Sequence, residues 1–245
     1  MENKNNKSLF LFLILSLIYS CSKNSCPFNS GNVSGESRNL LPFSEIILYD
    51  KINLILTEDS TQQISVEAGN NLLSGIQTAV ENNILTIRDQ NHCGLLRDPA
   101  DQTNVYISTN QLQKITYYGA GNIHSTNFLQ ASEFTIDSWL GIGSINLSLK
   151  ANQTNAIIRN NNADISLTGQ SQSVYIYCAD VGSVNLLDFA STSVTIDSRT
   201  IKDIYVNVSD SMNANILYKG NVYYKGNPSI IHSVIANSGR LIHLP

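Results

Sequence analysis

The side chains of this chain best suited to acid–base chemistry are aspartates that recur at fixed places in a repeat. Asp137 and Asp197 each follow an apolar-Thr-Ile triplet, Phe134-Thr135-Ile136 and Val194-Thr195-Ile196. Asp164 and Asp203 each form the middle of a short phrase, Ala163-Asp164-Ile165 and Lys202-Asp203-Ile204. A pair of carboxylates flanking a glycosidic bond is the machinery of glycoside hydrolysis, and it needs them about 5–9.5 Å apart. Stacked strands rise about 4.8 Å per layer, so Asp137 and Asp197, three repeats apart, are expected roughly 14 Å from each other, and Asp164 and Asp203, two repeats apart, about 10 Å. Both separations miss the window. The spacing therefore predicts solvated edge carboxylates and no catalytic residue.

Other chemistry is equally unsupported by the motifs. His92, His124, His232 and His243 have neither the His-x-x-x-His nor the Cys-His spacing of a metal centre. The repeats lack the calcium-binding nonapeptide, and the chain has no Gly-x-Ser-x-Gly elbow or phosphate-cradling loop. No cofactor and no metal are expected. Tyr175, Tyr205 and Tyr223 fall at positions whose alternation predicts exposure on successive or near-successive turns. Such rings can stack on sugars, anchor a protein partner, or simply brace neighbouring strands.

The element that positions these residues is a phrase of small residue, polar residue and aliphatic. It occurs seven times, as Gly121-Asn122-Ile123, Gly143-Ser144-Ile145, Ala163-Asp164-Ile165, Gly182-Ser183-Val184, Lys202-Asp203-Ile204, Gly220-Asn221-Val222 and Gly239-Arg240-Leu241. Its aliphatic positions are 22, 20, 19, 20, 18 and 19 residues apart. A period near twenty marks a solenoid whose units bury their apolar faces against one another. Alternation around the phrase and in the preceding triplets predicts two or three short strands per turn. The fold class expected is an all-β parallel β-helix over 111–245. The glycines before the phrase are expected at sharp corners with positive φ, and its polar members at a solvated edge.

Residues 40–110 read as an N-terminal β region, with strands at Ile46–Tyr49, Ile52–Thr57, Gln63–Glu67, Ile76–Val80, Leu85–Arg88 and Val105–Ser108. Ala68–Ser74 can form one helical turn. Residues 21–39, rich in Ser, Asn and Gly, read as a flexible tether. Residues 1–20 carry Lys4 and Lys7 before the apolar run Leu9–Leu17, which is too short to span a bilayer and reads as an export signal. Cys21 directly after it is the expected lipidation site, so the membrane partner would be reached through an N-terminal lipid. In an oxidising compartment Cys26 and Cys93 are the candidate disulfide, although three remaining cysteines allow three single bridges. Cys178 aligns with Ser138 and Ser198 and is expected as an inert core thiol. A net charge of −4 with only 14% charged residues leaves no basic stripe, so nucleic acid is not an expected partner.

Tyr118-Gly119-Ala120-Gly121-Asn122-Ile123 and Gly141-Ile142-Gly143-Ser144-Ile145 resemble the Gly-Ser-Gly-Asn phrases of the "putative auto-transporter adhesin, head GIN domain" family, exported proteins and lipoproteins of Bacteroidetes-type bacteria. The resemblance runs from about Leu40 to the C-terminus, although only two turns keep the full Gly-x-Gly form. It implies a right-handed, pectin-lyase-like coil and a role in adhesion. The expected function is a non-catalytic lipoprotein of the cell envelope, on the outer membrane, that contacts a protein or glycan. The alternatives are a polysaccharide-binding or polysaccharide-active protein, and a rigid spacer or a subunit that polymerises through an uncapped end.

Overall fold

A computed structural model describes residues 29–91, 102–160 and 162–245. The signal segment, Cys21, Cys26, His92 and Cys93 lie outside the described residues. The fold is all-β, a solenoid of about six turns. Among the described residues the strands form one 16-stranded sheet, and helical structure is limited to the 3-10 turn Leu73–Gly75, within reach of the turn expected at Ala68–Ser74.

The repeat forms long strands: β9 (Ile123–Ser138), β10 (Ser144–Ile158), β11 (Asp164–Asp180), β12 (Ser183–Thr200) and β13 (Ile204–Ile216). Each runs through two halves. The first half carries the phrase and the second the apolar triplet. Between them the pairing skips one residue, as at Asn152 between Ala151 and Gln153. In the last turns the halves separate into β14 (Val222–Lys225), β15 (Ile230–Ile235) and β16 (Leu241–His243). First halves stack on first halves and second on second, all in parallel register, so the coil presents two faces.

The seven aliphatics of the phrase stand directly over one another, from Ile123 through Ile145, Ile165, Val184, Ile204 and Val222 to Leu241. A second inward column runs Ile136, Ala156, Ile176, Ile196 and Ala214, all fully buried. Ser138, Ile158, Cys178 and Ser198 share a third, which confirms the alignment of Cys178 with the two serines. Burial pushes the Cys178 thiol up to about 12, as expected of an unreactive core residue.

The N-terminal strands are β1 (Val33–Arg38), β2 (Glu45–Leu48), β3 (Ile52–Thr57), β4 (Gln63–Gly69), β5 (Ile76–Glu81), β6 (Ile84–Asp89), β7 (Thr103–Ser108) and β8 (Lys114–Tyr117). Six of them coincide with the strands expected from alternation. The β5–β6 hairpin turns through Asn82 and Asn83, both at positive φ, a geometry asparagine tolerates. Pairing is continuous across residue 110, because β3 lies beside the first half of β9 and β8 beside its second half.

Two expectations are corrected. The composition of residues 21–39 suggested a tether throughout, yet Val33–Arg38 is a strand antiparallel to β4. Backbone pairing holds it rather than apolar burial, aided by Arg38, whose Nη2 donates to the Leu73 carbonyl (3.1 Å). The phrase glycines were expected at positive φ, but among the described residues the glycines with positive φ are Gly31, Gly169 and Gly226. Gly121 and Gly143 are required by space. A Cβ on Gly121 would lie 1.9 Å from the Ile52 carbonyl oxygen, and one on Gly143 2.1 Å from that of Gly121.

Candidate functional site

The four aspartates are engaged in the framework. Register places Asp137, Ile157, Tyr177 and Asp197 in one outward column, three turns from end to end as the repeat implied. Asp137 is buried and accepts two hydrogen bonds from Arg159, Nε at 2.8 Å and Nη2 at 3.1 Å. That bidentate contact is the main reason the Arg159 guanidinium titrates above its ordinary value. Asp197 pairs in the same way with Arg199, at 3.1 and 3.3 Å.

Asp164 accepts from the Ser183 hydroxyl and from Lys202 Nζ (3.2 Å), while Asp203 accepts from the Asn221 backbone N–H (2.8 Å). The solvated edge expected for the phrase is therefore a ladder from turn to turn. Asn53 Oδ1 accepts from the Asn122 N–H (2.9 Å), Asn122 Oδ1 from the Ser144 N–H (3.2 Å) and hydroxyl (2.9 Å), and Asn221 Oδ1 from the Arg240 N–H (3.0 Å). At these corners the polar residue of the turn before satisfies the N–H, whereas the Asp164 and Ser183 N–H groups donate to the Gly143 and Ala163 carbonyls (3.3 and 3.2 Å).

The Gly-x-Gly phrases have a specific task at Tyr117. Its ring is fully buried, and its hydroxyl donates to the Gly121 carbonyl (2.5 Å) and accepts from the Gly143 N–H (3.2 Å). A Cβ on Gly141 would stand 2.1 Å from the ring. Burial pushes the phenol up to about 12, the hydrogen bond from Gly143 acting in the opposite direction. The glycines thus make room for an aromatic plug at the corner.

The three tyrosines singled out from the sequence do not share one surface. Tyr205 and Tyr223 stack on the first face, ring centroids 4.9 Å apart and 11° from parallel. Burial, followed by the Asp203 and Tyr223 charges, raises the Tyr205 phenol above its ordinary value. Tyr175 lies on the second face, between Asn155 and Thr195. It is 38% exposed and its column neighbours are small polar side chains, so no ring from its own column lies against it. Tyr177, two residues on and on the same side, sits beneath Arg199 (5.8 Å to the ring centroid).

Sequence reasoning missed a column of planar groups along the edge of the second face. Tyr49 stacks on Tyr118 (5.0 Å, 8°) and Tyr118 on Trp139 (6.4 Å, 21°). Arg88 lies over Tyr49 at 4.0 Å and Arg159 over Trp139 at 4.3 Å. The order Arg88–Tyr49–Tyr118–Trp139–Arg159 follows from β2 pairing with both β6 and β8, and β8 with β9, a non-sequential arrangement. Every inner ring face is occupied by its neighbour and the outer ones by guanidinium groups. The column braces the sheet and leaves ring edges, rather than faces, for any ligand.

The histidines are dispersed. His124 is an exposed outward residue of β9, His232 is exposed on β15, and His243 stacks on Tyr224 (4.8 Å) with Nε2 2.8 Å from the Gly226 carbonyl. Among the described residues no group of three or more His, Cys, Asp and Glu could hold a metal ion, and no helix is long and apolar enough to cross a membrane. The outer surface of the second face around Tyr175 and Tyr177 gathers exposed polar and aromatic side chains. There the exposed Tyr175 ring, small amide and hydroxyl side chains and two Arg–Asp pairs share one sheet face.

Comparison with solved structures finds the same fold. A putative adhesin from Bacteroides fragilis NCTC 9343 superposes with a TM-score of 0.81 at 21% identity, covering 87% of this chain and 97% of its own. A putative adhesin from Parabacteroides distasonis ATCC 8503 gives 0.67 at 17%, covering 87% and 98%. A protein from the same strain described as a putative lipid binding protein gives 0.64 at 17%, covering 88% and 98%. At these identities the likeness is one of fold. No curated protein matches the chain. The sequence pattern of the family described as putative auto-transporter adhesin, head GIN domain, matches residues 42–228, and the chain belongs to that family.

Proposed function

We propose that this chain is a non-catalytic interaction module of the cell envelope, acting in adhesion through the outer surface of its second face. The observation that carries the reading is Tyr175, a solvent-facing ring with no other ring on it, set among Asn155, Thr195 and Asn213 on consecutive turns. A flat surface of this composition binds by stacking and by many shallow hydrogen bonds. The reading includes a right-handed coil of the pectin-lyase type, lipidation at Cys21 on the outer membrane, and a Cys26–Cys93 bridge securing the N-terminal segment. Engagement of Asp137, Asp164, Asp197 and Asp203 by framework partners supports a non-enzymatic role.

A pull-down from the native envelope, paired with a glycan array, tests the proposal. Tyr175→Ala should abolish the retained contact while Tyr205→Ala leaves it intact. Equal binding by both variants, or cleavage of a polysaccharide that depends on one carboxylate, would sink it. A second reading, binding of an extended polysaccharide, is favoured by a shallow groove of about 320 Å³ where the two faces meet. Its walls carry Asn152, Gln170, Gln172 and Asn207, amides able to hydrogen-bond a chain laid along the axis.

A further inference from the structure

The two long edges of the coil differ in chemistry. At the mid-turn edge, where the two halves of each turn join, the surface is built of Gln, Asn and Ser. The exposed Phe128 ring there lies under Lys150, whose Nζ is 4.8 Å from its centroid. At the opposite edge, where the chain steps from one turn to the next, apolar side chains project outward. Trp139 is 41% exposed, Leu140 63%, Ile142 62%, Ile201 51% and Tyr218 40%. Backbone bonds fix these loops, since the N–H groups of Trp139, Ile142 and Ile201 donate to the carbonyls of Tyr117, Gly119 and Asp180, each at 3.0 Å. The backbone thus holds these side chains in solvent.

We propose that this stepping edge seats in a phospholipid surface. Trp139, Leu140 and Ile142 enter the boundary between headgroups and acyl chains, and Ile201 with Tyr218 makes a second contact. Tryptophan and tyrosine favour that boundary because each joins an apolar ring to a polar tip, and the aliphatics beside them gain by leaving water. The second contact stands three and four turns beyond the first, about 14–19 Å along the axis. The coil therefore lies on its side, and Asn160 and Asp180, on the turns between, stay at the level of the headgroups.

Two observations select this occupant. The first is where the chain enters the fold. β4 runs antiparallel to β7 and so ends at the stepping edge, and Asn71, just beyond it, donates from Nδ2 to the Asn29 carbonyl (2.9 Å). Cys21 is eight residues before Asn29, at most about 28 Å of chain. A lipid on that cysteine, the reading on which this proposal rests, holds the stepping edge nearest the membrane. The second is charge. Cations beside the apolar loops are engaged within the framework, Arg159 by Asp137, Arg199 by Asp197 and Lys202 by Asp164. Apolar contact then carries the binding, so a zwitterionic surface suffices and salt has little effect. The second face rises from the membrane, with Tyr175 five residues short of Asp180, about 17 Å along the strand, and open to a partner.

Trp139 is the only tryptophan of the chain, so its fluorescence reports the contact directly. The full-length protein, isolated from its native envelope, is reconstituted into phosphatidylcholine vesicles with and without brominated acyl chains. Mass spectrometry of the N-terminal peptide reads the acyl group on Cys21 separately. In the acylated wild type, brominated lipid should quench Trp139 equally at low and high salt. Leu140→Glu with Ile142→Glu should lose the quenching while keeping the acyl group and the far-ultraviolet spectrum, and Phe128→Glu, at the mid-turn edge, should keep it. Acylated protein without quenching would overturn the proposal and leave the anchor standing. An unmodified Cys21 would overturn both. Quenching that survives the double substitution, disappears in Phe128→Glu or is abolished by salt would also overturn the proposal.

Discussion

The two ends of the coil solve the same problem in opposite ways. At the N-terminal end the parallel stack is closed by antiparallel strands, β1 against β4 on the first face and β5 against β6 on the second. Their outer side chains include Glu36, Arg38, Gln77 and Glu81, and Glu36 pairs with Arg38 at 3.1 Å. Charged edge strands discourage further pairing. At the other end β15 remains parallel, uncharged and open. A solenoid buries each turn with the next, so the outermost strands differ in what protects them: charge at one end, and nothing but solvent exposure on β15 at the other.

The largest effect that sharpens this contrast compares equivalent inward positions. Ile196→Ala, in the fully buried column, should cost about 2–5 kcal/mol in denaturant unfolding. Ile235→Ala, at an inward position of β15 that is 48% exposed, should cost under about 0.5 kcal/mol. Equal losses would mean that Ile235 is as well packed as the interior column.

Next in size is a comparison of two glycines. Gly143→Ala pushes a methyl against Tyr117 and the Gly121 carbonyl and should destabilise by about 1–3 kcal/mol. Gly35→Ala on β1, where nothing lies within 4 Å of the added carbon, should be neutral or stabilising by up to about 1 kcal/mol.

A smaller, pH-dependent effect belongs to the closed interior. Cys178 and Tyr117 are both held protonated, each up to about 12 from ordinary values of 9.0 and 10.0. Their contribution is fully present below pH 9.0, where the unfolded thiol is also protonated. Above it the unfolded state binds fewer protons, so stability falls toward about pH 12, by about 1.4 kcal/mol per pH unit for each group. Alkaline unfolding curves should show this slope, and Cys178→Ser should remove the part that starts near 9. A slope unchanged by that substitution would reject the assignment.

The smallest effect concerns the Tyr205–Tyr223 stack near the open end. A double-mutant cycle to alanine should give a coupling of about 0.5–1.5 kcal/mol, with no change in partner binding. Loss of binding here would move the contact surface to the first face.

Much of the framework was legible before any coordinates. Alternation located β3 to its exact bounds and five other N-terminal strands to within a few residues, and the period of the phrase put Ile123 through Leu241 in one column. Local composition misled at Val33–Arg38, because an edge strand held by backbone pairing carries no apolar signature. The same limit hid the Arg88–Trp139–Arg159 column, whose members meet only through a non-sequential strand order.

What the sequence determined by itself is the repeat, the two alternating halves of each turn and the inward columns, since period and alternation act along the chain. Which carboxylates are free, which rings have open faces and how the ends terminate were decided by the tertiary structure. Asp137 looked like a solvated edge until Arg159 of the next turn closed on it. Tyr175, Tyr205 and Tyr223 looked like one patch until register assigned them to two faces. Those properties depend on what lies one rung above and below, and neighbours across rungs are set by stacking, not by position along the chain.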